Sequence, residues 1–338
     1  MKRNVYSGII KAAQIKKGDL VLIQYWMDQS FSEDIGFLQA EIAAAGATPV
    51  LVVQNLLASQ LLNENLTKET YNDRYFKLYE DADVVIDMME RPIGVLSRPL
   101  EPEKMKVLGK YMGRLFEICS TKKKMLQLRV PTAKMAQAEG MDYEDYRTRM
   151  EAAMDIDYEL LKEECTGLKA GVEKKKGVII KTREGACSLE LYFEGRNWLI
   201  DAGDGDIPCG EIYIAPVEKS TKGTVFFKTI YLPNQNMRGG KYKFEDVILT
   251  ISQGEIIDTN NEQLNEIFKE YGSNNCTIGE LGLGMNPGVT SLCGCAVLDE
   301  KMTGTFHLGI GDNTMFGGIN EAEEHIDFIS NGEYCWIE

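Results

Sequence analysis

The chain has 338 residues, of which 44% are hydrophobic and 26% charged, a composition typical of a globular protein with one large or two ordinary domains. Its 52 acidic and 37 basic residues give a formal net charge of −15, which disfavours nucleic acid and anionic membrane surfaces as partners. No apolar run is long enough to cross a bilayer, the first residues lack the apolar core of a secretion signal, and the eight cysteines are scattered, so we expect a cytoplasmic protein with reduced thiols.

The N-terminal half alternates helices with short apolar strands. Such alternation predicts a parallel sheet that is covered by helices, because parallel strands need a crossover connection. The predicted elements are, in order, helix 4–16, strand Leu20–Tyr25, helix 32–45, strand Thr48–Gln54, a helical stretch at 56–80, strand Ala82–Met88 and a helical stretch at 102–127.

The second half has a different texture. A long helix is predicted from Asp142 to Leu168, and the lysine-rich turn that ends at Lys176 is expected to separate two domains. We therefore predict an α/β protein with an N-terminal parallel-sheet α/β domain (1–176) and a C-terminal β-rich α+β domain (177–338). Turn residues in the C-terminal domain separate one helix at 261–271 from short strands at Val178–Lys181, Ser188–Phe193, Trp198–Asp201, Thr224–Tyr231 and Val247–Ser252.

Histidine is scarce in this chain. His307 and His325 are its only two histidines, and they lie 18 positions apart (325 − 307) in the C-terminal domain. Imidazole is the commonest neutral nitrogen ligand of transition metals, so this pair suggests a metal site. The alternative is a pair of hydrogen-bonded core residues, which is the commoner role of a lone histidine on an apolar face.

Three carboxylates favour the metal site over that alternative. Asp327 follows His325 by two residues, and in an extended segment both would project from one face. Glu211 and Glu280 each lie in an apolar segment, where an isolated carboxylate is costly unless it is paired or bound to a cation. Two Glu, two His and one Asp are too many ligands for one closed tetrahedral zinc and about right for two adjacent ions, which would make the C-terminal domain the metal-binding, catalytic one.

Other common functional motifs are absent from the sequence. The Leu-Gly-Leu-Gly and Leu-Gly-Ile-Gly runs that follow Glu280 and His307 do not open a helix after the first strand of a βαβ unit, so they are not dinucleotide-binding motifs. We interpret them as places where the backbone packs close to the metal ligands. Neither a phosphate-binding Gly-Lys-Ser/Thr motif nor a Gly-x-Ser-x-Gly elbow is present.

The ligand segments resemble those of the aminopeptidase T-type metallo-aminopeptidases, peptidase family M29. That family carries an Asn-x-Pro-x-Gly-Glu segment ending in Ala-Pro, a Gly-Glu segment with alternating Gly, a His-x-Ala-x-Gly segment and a His-x-Asp segment, in that order. The corresponding segments here are Asp206-Ile207-Pro208-Cys209-Gly210-Glu211 with Ala215-Pro216, Gly279-Glu280-Leu281-Gly282-Leu283-Gly284, His307-Leu308-Gly309-Ile310-Gly311 and His325-Ile326-Asp327.

The resemblance implies both ligands and reaction. Carried over residue by residue, it assigns Glu211, Glu280, His307, His325 and Asp327 to a pair of divalent zinc, cobalt or manganese ions. It also implies the hydrolysis of N-terminal residues from peptides, or of a related small amide, by a homodimer. A metal-activated water would attack the amide, with Glu280 or Glu211 carrying the proton to the leaving amine.

This chain departs from the family pattern at two positions. Asp206 stands where the family usually has Asn. Thr314 stands where the family usually has a tyrosine near the metals, which removes one candidate stabiliser of the tetrahedral oxyanion. The loss of that phenol is expected to reduce peptidase activity or to indicate a different substrate.

Two other functions remain as alternatives. The 2,5-dihydroxypyridine dioxygenases are similar to this family, and His307, His325 and Asp327 make the two-histidine, one-carboxylate set of Fe(II) ring-cleaving oxygenases. The survival of both glutamates and the lack of a further histidine to act as base favour the hydrolase. A non-catalytic binding protein with the same fold is the third possibility, and five matching ligand types argue against it.

Overall fold

The structure is a computed structural model that describes residues 1–26, 32–54, 56–89, 100–234 and 240–338. Its helices and strands are, in chain order, α1 (Arg3–Ala12), β1 (Leu20–Trp26), α2 (Ser32–Ala44), β2 (Thr48–Gln54), α3 (Leu56–Glu64), α4 (Asp73–Asp81), β3 (Val84–Met89), α5 (Pro102–Ser120), β4 (Lys124–Leu128), α6 (Ala133–Glu139), α7 (Tyr143–Met154), α8 (Tyr158–Val172), β5 (Gly177–Thr182), β6 (Cys187–Tyr192), β7 (Leu199–Asp201), β8 (Asp206–Ile207), β9 (Glu211–Ile214), β10 (Lys222–Asn234), β11 (Gly240–Ser252), β12 (Glu255–Thr259), α9 (Glu262–Tyr271), β13 (Ile278–Gly284), α10 (Ala296–Asp299), β14 (Phe306–Gly311), β15 (His325–Ser330) and β16 (Glu333–Ile337).

The chain divides into two compact units. The first consists of Met1–Tyr158 with Gly203–Cys209, and the second of Glu159–Ala202 with Gly210–Glu338. The predicted division after residue 176 stays a prediction, because the compactness of a unit does not test whether either part folds independently. Among the described residues, no helix combines the length and the apolar character that are needed to cross a bilayer.

The first unit is built on a parallel sheet. Its strand order is β2-β1-β3-β4-β8, and every neighbouring pair runs parallel. Helices α4 and α5 pack on the sheet through a buried cluster that includes Leu22, Phe76, Tyr79, Tyr111 and Leu115. Strands that are buried in this way have near-continuous apolar sequences, which is why the first three were predictable.

Two strands of this sheet, β4 and the short β8, were not predicted. The stretch 102–127 was predicted to be helical throughout, but α5 ends at Ser120 and Lys124–Leu128 forms the parallel strand β4. The lysine-rich start of β4 conceals the strand, because these cations find acidic partners: Lys123 lies 2.9 Å from Asp19, and Lys124 lies 2.7 Å from Asp204. Only tertiary pairing with β3 and β8 reveals β4 as a strand.

The predicted helix from Asp142 to Leu168 is two helices. Helix α7 ends at Met154, and Asp155 adopts a non-helical conformation (φ −88°, ψ 63°) before α8 begins at Tyr158. The Asp155 carboxylate accepts a hydrogen bond of 2.8 Å from the Asn4 side chain, which favours this local break. Neither glycine nor proline marks the position, so periodicity alone predicted a continuous helix.

The second unit contains two antiparallel sheets. One has six strands in the order β12-β11-β10-β6-β5-β16, and the other has five in the order β15-β14-β13-β9-β7. With a parallel sheet in the N-terminal region and β-rich antiparallel structure in the C-terminal region, the predicted fold class is confirmed.

The five-stranded antiparallel sheet has one apolar face. Alternate residues of β14 and β15 pack toward the six-stranded sheet, where the Phe227 ring meets the rings of Phe306 and Phe328 at centroid distances of 6.3 and 5.8 Å. Because successive side chains of a strand point to opposite faces, His307 and Asp327 project from the other face. The apolar core thus orients the polar face of the sheet.

Candidate metal centre

The five predicted ligands lie on one face of the five-stranded antiparallel sheet of the second unit. They come from four adjacent strands, β9, β13, β14 and β15. Directly paired residues of an antiparallel ladder project from the same face. The register places Glu211 opposite Gly284, His307 opposite Gly282, Glu280 and Asp327 opposite Gly309, and His325 opposite Gly311.

The paired glycines make room for the ligands. A Cβ atom on Gly282 would lie 2.0 Å from the Cε1 and Nε2 atoms of His307. A Cβ atom on Gly309 would lie 2.8 Å from the Cβ of Glu280 and 2.8 Å from the Cε1 of His325. The alternating glycines of β13 and β14 therefore let long polar side chains lie flat across the sheet.

Substituting Gly282 tests this packing. Gly282→Ala is expected to displace the His307 ring, because the two groups would overlap, and to lower bound metal and activity together by about tenfold or more. Metal content and activity of the folded variant are the measurement. The matched control is Gly113→Ala in α5, where an added Cβ meets nothing within 4 Å and helix propensity predicts a gain of about 0.5–1 kcal/mol. Full metal content in Gly282→Ala would contradict the geometry.

Glu280 lies at the centre of the group. Its Oε1 is 3.3 Å from the Nε2 of His307, and its Oε2 is 3.1 Å from the Nε2 of His325. His307 Nε2 also lies 3.5 Å from Glu211 Oε2, and His325 Nε2 lies 3.4 Å from Asp327 Oδ1. The two oxygens of one carboxylate thus face two separate sets of partners, each with one histidine and one further carboxylate.

The set that contains His325 is the more compact one. Ligand atoms of Glu280, His325 and Asp327 all lie within 4.8 Å of one another. A hydrogen bond at the opposite ring nitrogen also orients His325, because its Nδ1 lies 2.8 Å from the carbonyl oxygen of Asp312. A carbonyl only accepts hydrogen bonds, so Nδ1 carries the proton and Nε2 faces the carboxylates, as in many metal-binding histidines.

Several buried polar atoms in the centre lack a well-aligned hydrogen bond. Among the described residues these are Glu211 Oε2, His307 Nδ1 and Asp327 Oδ1, and the two carboxylate oxygens have only the ion pairs of 3.5 and 3.4 Å with the histidines. Buried carboxylate oxygens without good hydrogen bonds are costly, and a cation would compensate them. Carboxylate oxygens and imidazole nitrogens are ligands of zinc, manganese and cobalt. The residues present therefore fit a divalent metal site.

Without a cation, the histidines hold protons. Burial lowers the pKa of His307, but hydrogen bonding to Glu280 and the charge of Glu211 outweigh it and raise the pKa to about 9. Burial likewise lowers the pKa of His325, but Asp327 and Glu280 raise it to about 12. Burial raises the pKa of Asp327, but the hydrogen bond and charge of His325 hold that pKa below its usual range. Two imidazolium ions thus compensate the carboxylates until metal replaces them.

Metal uptake is therefore expected to release protons. Near pH 7.5 both histidines of the ion-free protein lie below their pKa values of about 9 and about 12, so loading the centre should release about two protons per chain. The affinity should rise with pH up to about 9, because proton competition at His307 then fades. Calorimetry in buffers of different ionisation enthalpy measures the release. A binding enthalpy that does not depend on the buffer would contradict this prediction.

Three charged residues of the centre were not predicted from the sequence. Asp201 is paired with Glu211 in the ladder between β7 and β9, so its side chain projects from the same face. Glu300 and Lys301 follow α10, and their side chains are 14% and 4% exposed. Burial raises the pKa of Glu300 to about 7, while Lys301 opposes that rise. Carboxylates next to apolar strands were the signal for Glu211, and the same signal would have found Asp201.

The Thr314 region differs from the family pattern in a defined way. The Thr314 hydroxyl donates a hydrogen bond of 2.9 Å to Asp312 Oδ1 and stabilises an exposed turn. Two residues later, the Phe316 ring contacts the rings of His325 and Tyr213 edge-on, at 5.6 and 5.8 Å. Tyr213 is paired with Gly282, so its phenol lies on the ligand face of the sheet. Burial and the charge of Glu211 raise the pKa of this phenol.

Comparisons with known proteins identify the family and the fold of this chain. A family model described as thermophilic metalloprotease (M29) matches residues 8–332. Among solved structures, wild-type AmpT from Thermus thermophilus is similar with a TM-score of 0.68 and 14% identity, over 99% of this chain and 97% of that one. The 2,5-dihydroxypyridine dioxygenase of Pseudomonas putida KT2440 is similar with a TM-score of 0.56 and 16% identity, over 97% of this chain and 90% of that one. At these identities the two structures show a shared fold. Among the curated proteins compared, none matches this chain significantly.

Proposed function

Because the chain belongs to the M29 family of thermophilic metalloproteases, and is thus a metal-dependent hydrolase of the aminopeptidase kind, we propose that it removes N-terminal amino acids from peptides with a pair of divalent ions. The observation that supports two ions is Glu280, whose two oxygens face two different histidines at 3.3 and 3.1 Å. A carboxylate in this position can bridge two cations.

The two ion positions share Glu280. Glu211 and His307 would complete one position, and His325 and Asp327 the other. Zinc, cobalt and manganese all accept such oxygen and nitrogen ligands. When bound, the ions lower the pKa of a shared water toward neutrality and polarise the scissile carbonyl.

The side chains of the centre carry the proton. Both oxygens of Glu280 face histidines, and Glu211 lies between His307 at 3.5 Å and Lys301 at 2.5 Å. Either carboxylate, Glu280 or Glu211, would take a proton from the attacking water and return it to the leaving amine. The Tyr213 phenol lies on the same face, where it can donate to the developing oxyanion in place of the family tyrosine.

The substrate is expected to carry a free α-amino group. The family acts on peptide N-termini, and the centre offers carboxylate oxygens that can accept hydrogen bonds from an ammonium group, those of Asp201, Glu211, Glu280, Glu300 and Asp327. The test compares dipeptides and aminoacyl amides with their N-acetylated forms in metal-loaded protein. We expect cleavage of the free amines and at least about 100-fold lower kcat/KM for the acetylated forms. Equal cleavage of both would show an amidase without exopeptidase selectivity.

The ring-cleaving dioxygenase is less well supported by the geometry. The compact set contains one histidine with two carboxylates, Glu280 and Asp327, rather than two histidines with one carboxylate. Oxygen uptake with a dihydroxylated heteroaromatic compound would favour the dioxygenase nevertheless. A cytoplasmic location and a homodimer remain part of the proposal, and sedimentation of the purified protein tests the latter.

A further inference from the structure

A buried lysine lies at one end of the metal centre. The Lys301 side chain is 4% exposed, and its Nζ lies 2.5 Å from Glu211 Oε1 and 3.0 Å from Glu300 Oε1. Asp201 Oδ2 is 3.9 Å away. Lysine is rarely buried unless it is paired, so this ammonium belongs to the charge system of the centre.

The backbone fixes the position of this lysine against the sheet. The amide of Asn286, just beyond the end of β13, donates a hydrogen bond of 2.7 Å to the carbonyl of Lys301. The next residue, Met302, lies so close to β13 that its carbonyl oxygen would be 2.2 Å from a Cβ on Gly284. Gly284 in turn is the ladder partner of Glu211. The strand that presents Glu280 therefore also places the ammonium beside Glu211.

The charges of the centre balance with two ions and one lysine. The five carboxylates of the centre carry five negative charges when ionised; they are Asp201, Glu211, Glu280, Glu300 and Asp327. Two divalent ions would carry four positive charges, and Lys301 supplies the fifth positive charge. The lysine is not placed symmetrically, because it forms an ion pair with Glu211 at 2.5 Å, whereas its charge reaches Asp327 of the compact set only at longer range.

We propose that Lys301 is a positioning residue that makes the two ion positions unequal. It holds one oxygen of Glu211 and places a positive charge beside the Glu211–His307 position, so that this position binds its ion more weakly than the Glu280–His325–Asp327 position. This inference rests on the proposed two-ion function. The proposal concerns the difference in ion affinity between the two positions, and it attributes that difference to the Lys301 side chain.

Coulombic repulsion gives the direction of the effect. An ammonium and a divalent cation that share one carboxylate repel each other, and the buried surroundings screen that repulsion poorly. Lys301→Met removes the ammonium and leaves the second oxygen of Glu211 available to a cation. The weaker position should therefore bind its ion about tenfold tighter or more in this variant.

The experiment is a metal titration of protein from which a chelator has first removed the metal. Wild type, Lys301→Met, Lys301→Gln and Lys301→Arg are equilibrated with buffered Zn²⁺ across a dialysis membrane, and bound zinc per chain is measured by elemental analysis. Wild type should bind two zinc ions in two separated steps. Both neutral variants should bring the second step close to the first, and Lys301→Arg should keep the steps apart because it keeps the charge.

The outcomes distinguish the possible failures. If a folded neutral variant, as judged by circular dichroism, keeps the separation or binds the second zinc more weakly, the role of Lys301 is refuted. If the affinity for both zinc ions falls alike in Lys301→Met, Lys301→Gln and Lys301→Arg, Lys301 has a structural role only and the proposal is also refuted. If wild type saturates with one zinc per chain, the two-ion function itself fails, whatever the variants do.

Discussion

Glu280→Gln is expected to lower kcat/KM by about 10³-fold or more, equivalent to roughly 4 kcal/mol of lost transition-state stabilisation. Glutamine keeps the size of the side chain but replaces one carboxylate oxygen by an NH₂ group that cannot bind a cation. Since the two oxygens of Glu280 face His307 and His325, this change removes a ligand from at least one of the two positions. Metal content should fall with activity, to about one ion per chain.

The control for this variant is Glu245→Gln on β11. That glutamate is 61% exposed and pairs with Lys243 at the surface, so its loss should leave both stability and activity nearly unaltered. Circular dichroism of both variants separates unfolding from loss of chemistry. A folded Glu280→Gln protein with wild-type turnover would refute the assignment of Glu280 as the central ligand.

Removing the ions with a chelator is expected to abolish hydrolysis and to destabilise the protein. Ligands that bind only the folded state stabilise it by about 4 kcal/mol at a thousandfold excess over Kd, so the unfolding temperature should drop on chelation and recover when metal is returned. The loss of stability on chelation should grow with pH. The raised pKa of His307 stabilises the ion-free fold fully below about 6.5, and this contribution disappears as pH rises through about 9.

The measurement is the unfolding temperature with and without chelator at pH 7 and pH 9.5. The gap between the two forms should be wider at pH 9.5, because the ion-free carboxylates then lose the imidazolium of His307 as a partner. Treatment with magnesium-saturated chelator controls for effects of the chelator itself. An unchanged unfolding temperature together with full activity after complete metal removal would contradict the metalloenzyme.

The proximity of the five candidate ligands was predictable because these residues are conspicuous in the sequence. Two histidines in 338 residues, and carboxylates within apolar segments, are unusual in ways that chemistry explains. The alternating glycines suggested close packing, and the structure supplies the reason, since Gly282 and Gly309 leave space for imidazole rings. The parallel strands β1 to β3 were predictable for a similar reason, because a doubly covered strand needs a continuous apolar run.

The missed residues owe their role to tertiary packing. Glu300 and Lys301 belong to the segment Asp-Glu-Lys-Met-Thr-Gly, which resembles an exposed polar turn in the sequence. They are buried because this segment packs on Gly284, and local sequence patterns do not report that contact. Strand β4 was not predicted for a similar reason, since the three lysines at 122–124 suggest a surface helix until pairing with β3 defines the strand.

Elemental analysis of protein purified without chelator or affinity metal tests the central claim most directly. The two-ion hydrolase predicts close to two zinc, cobalt or manganese ions per chain, with His325→Ala and His307→Ala each lowering that number. One iron per chain, together with oxygen uptake on a dihydroxylated ring, would contradict it and would leave Glu211 outside the set of metal ligands.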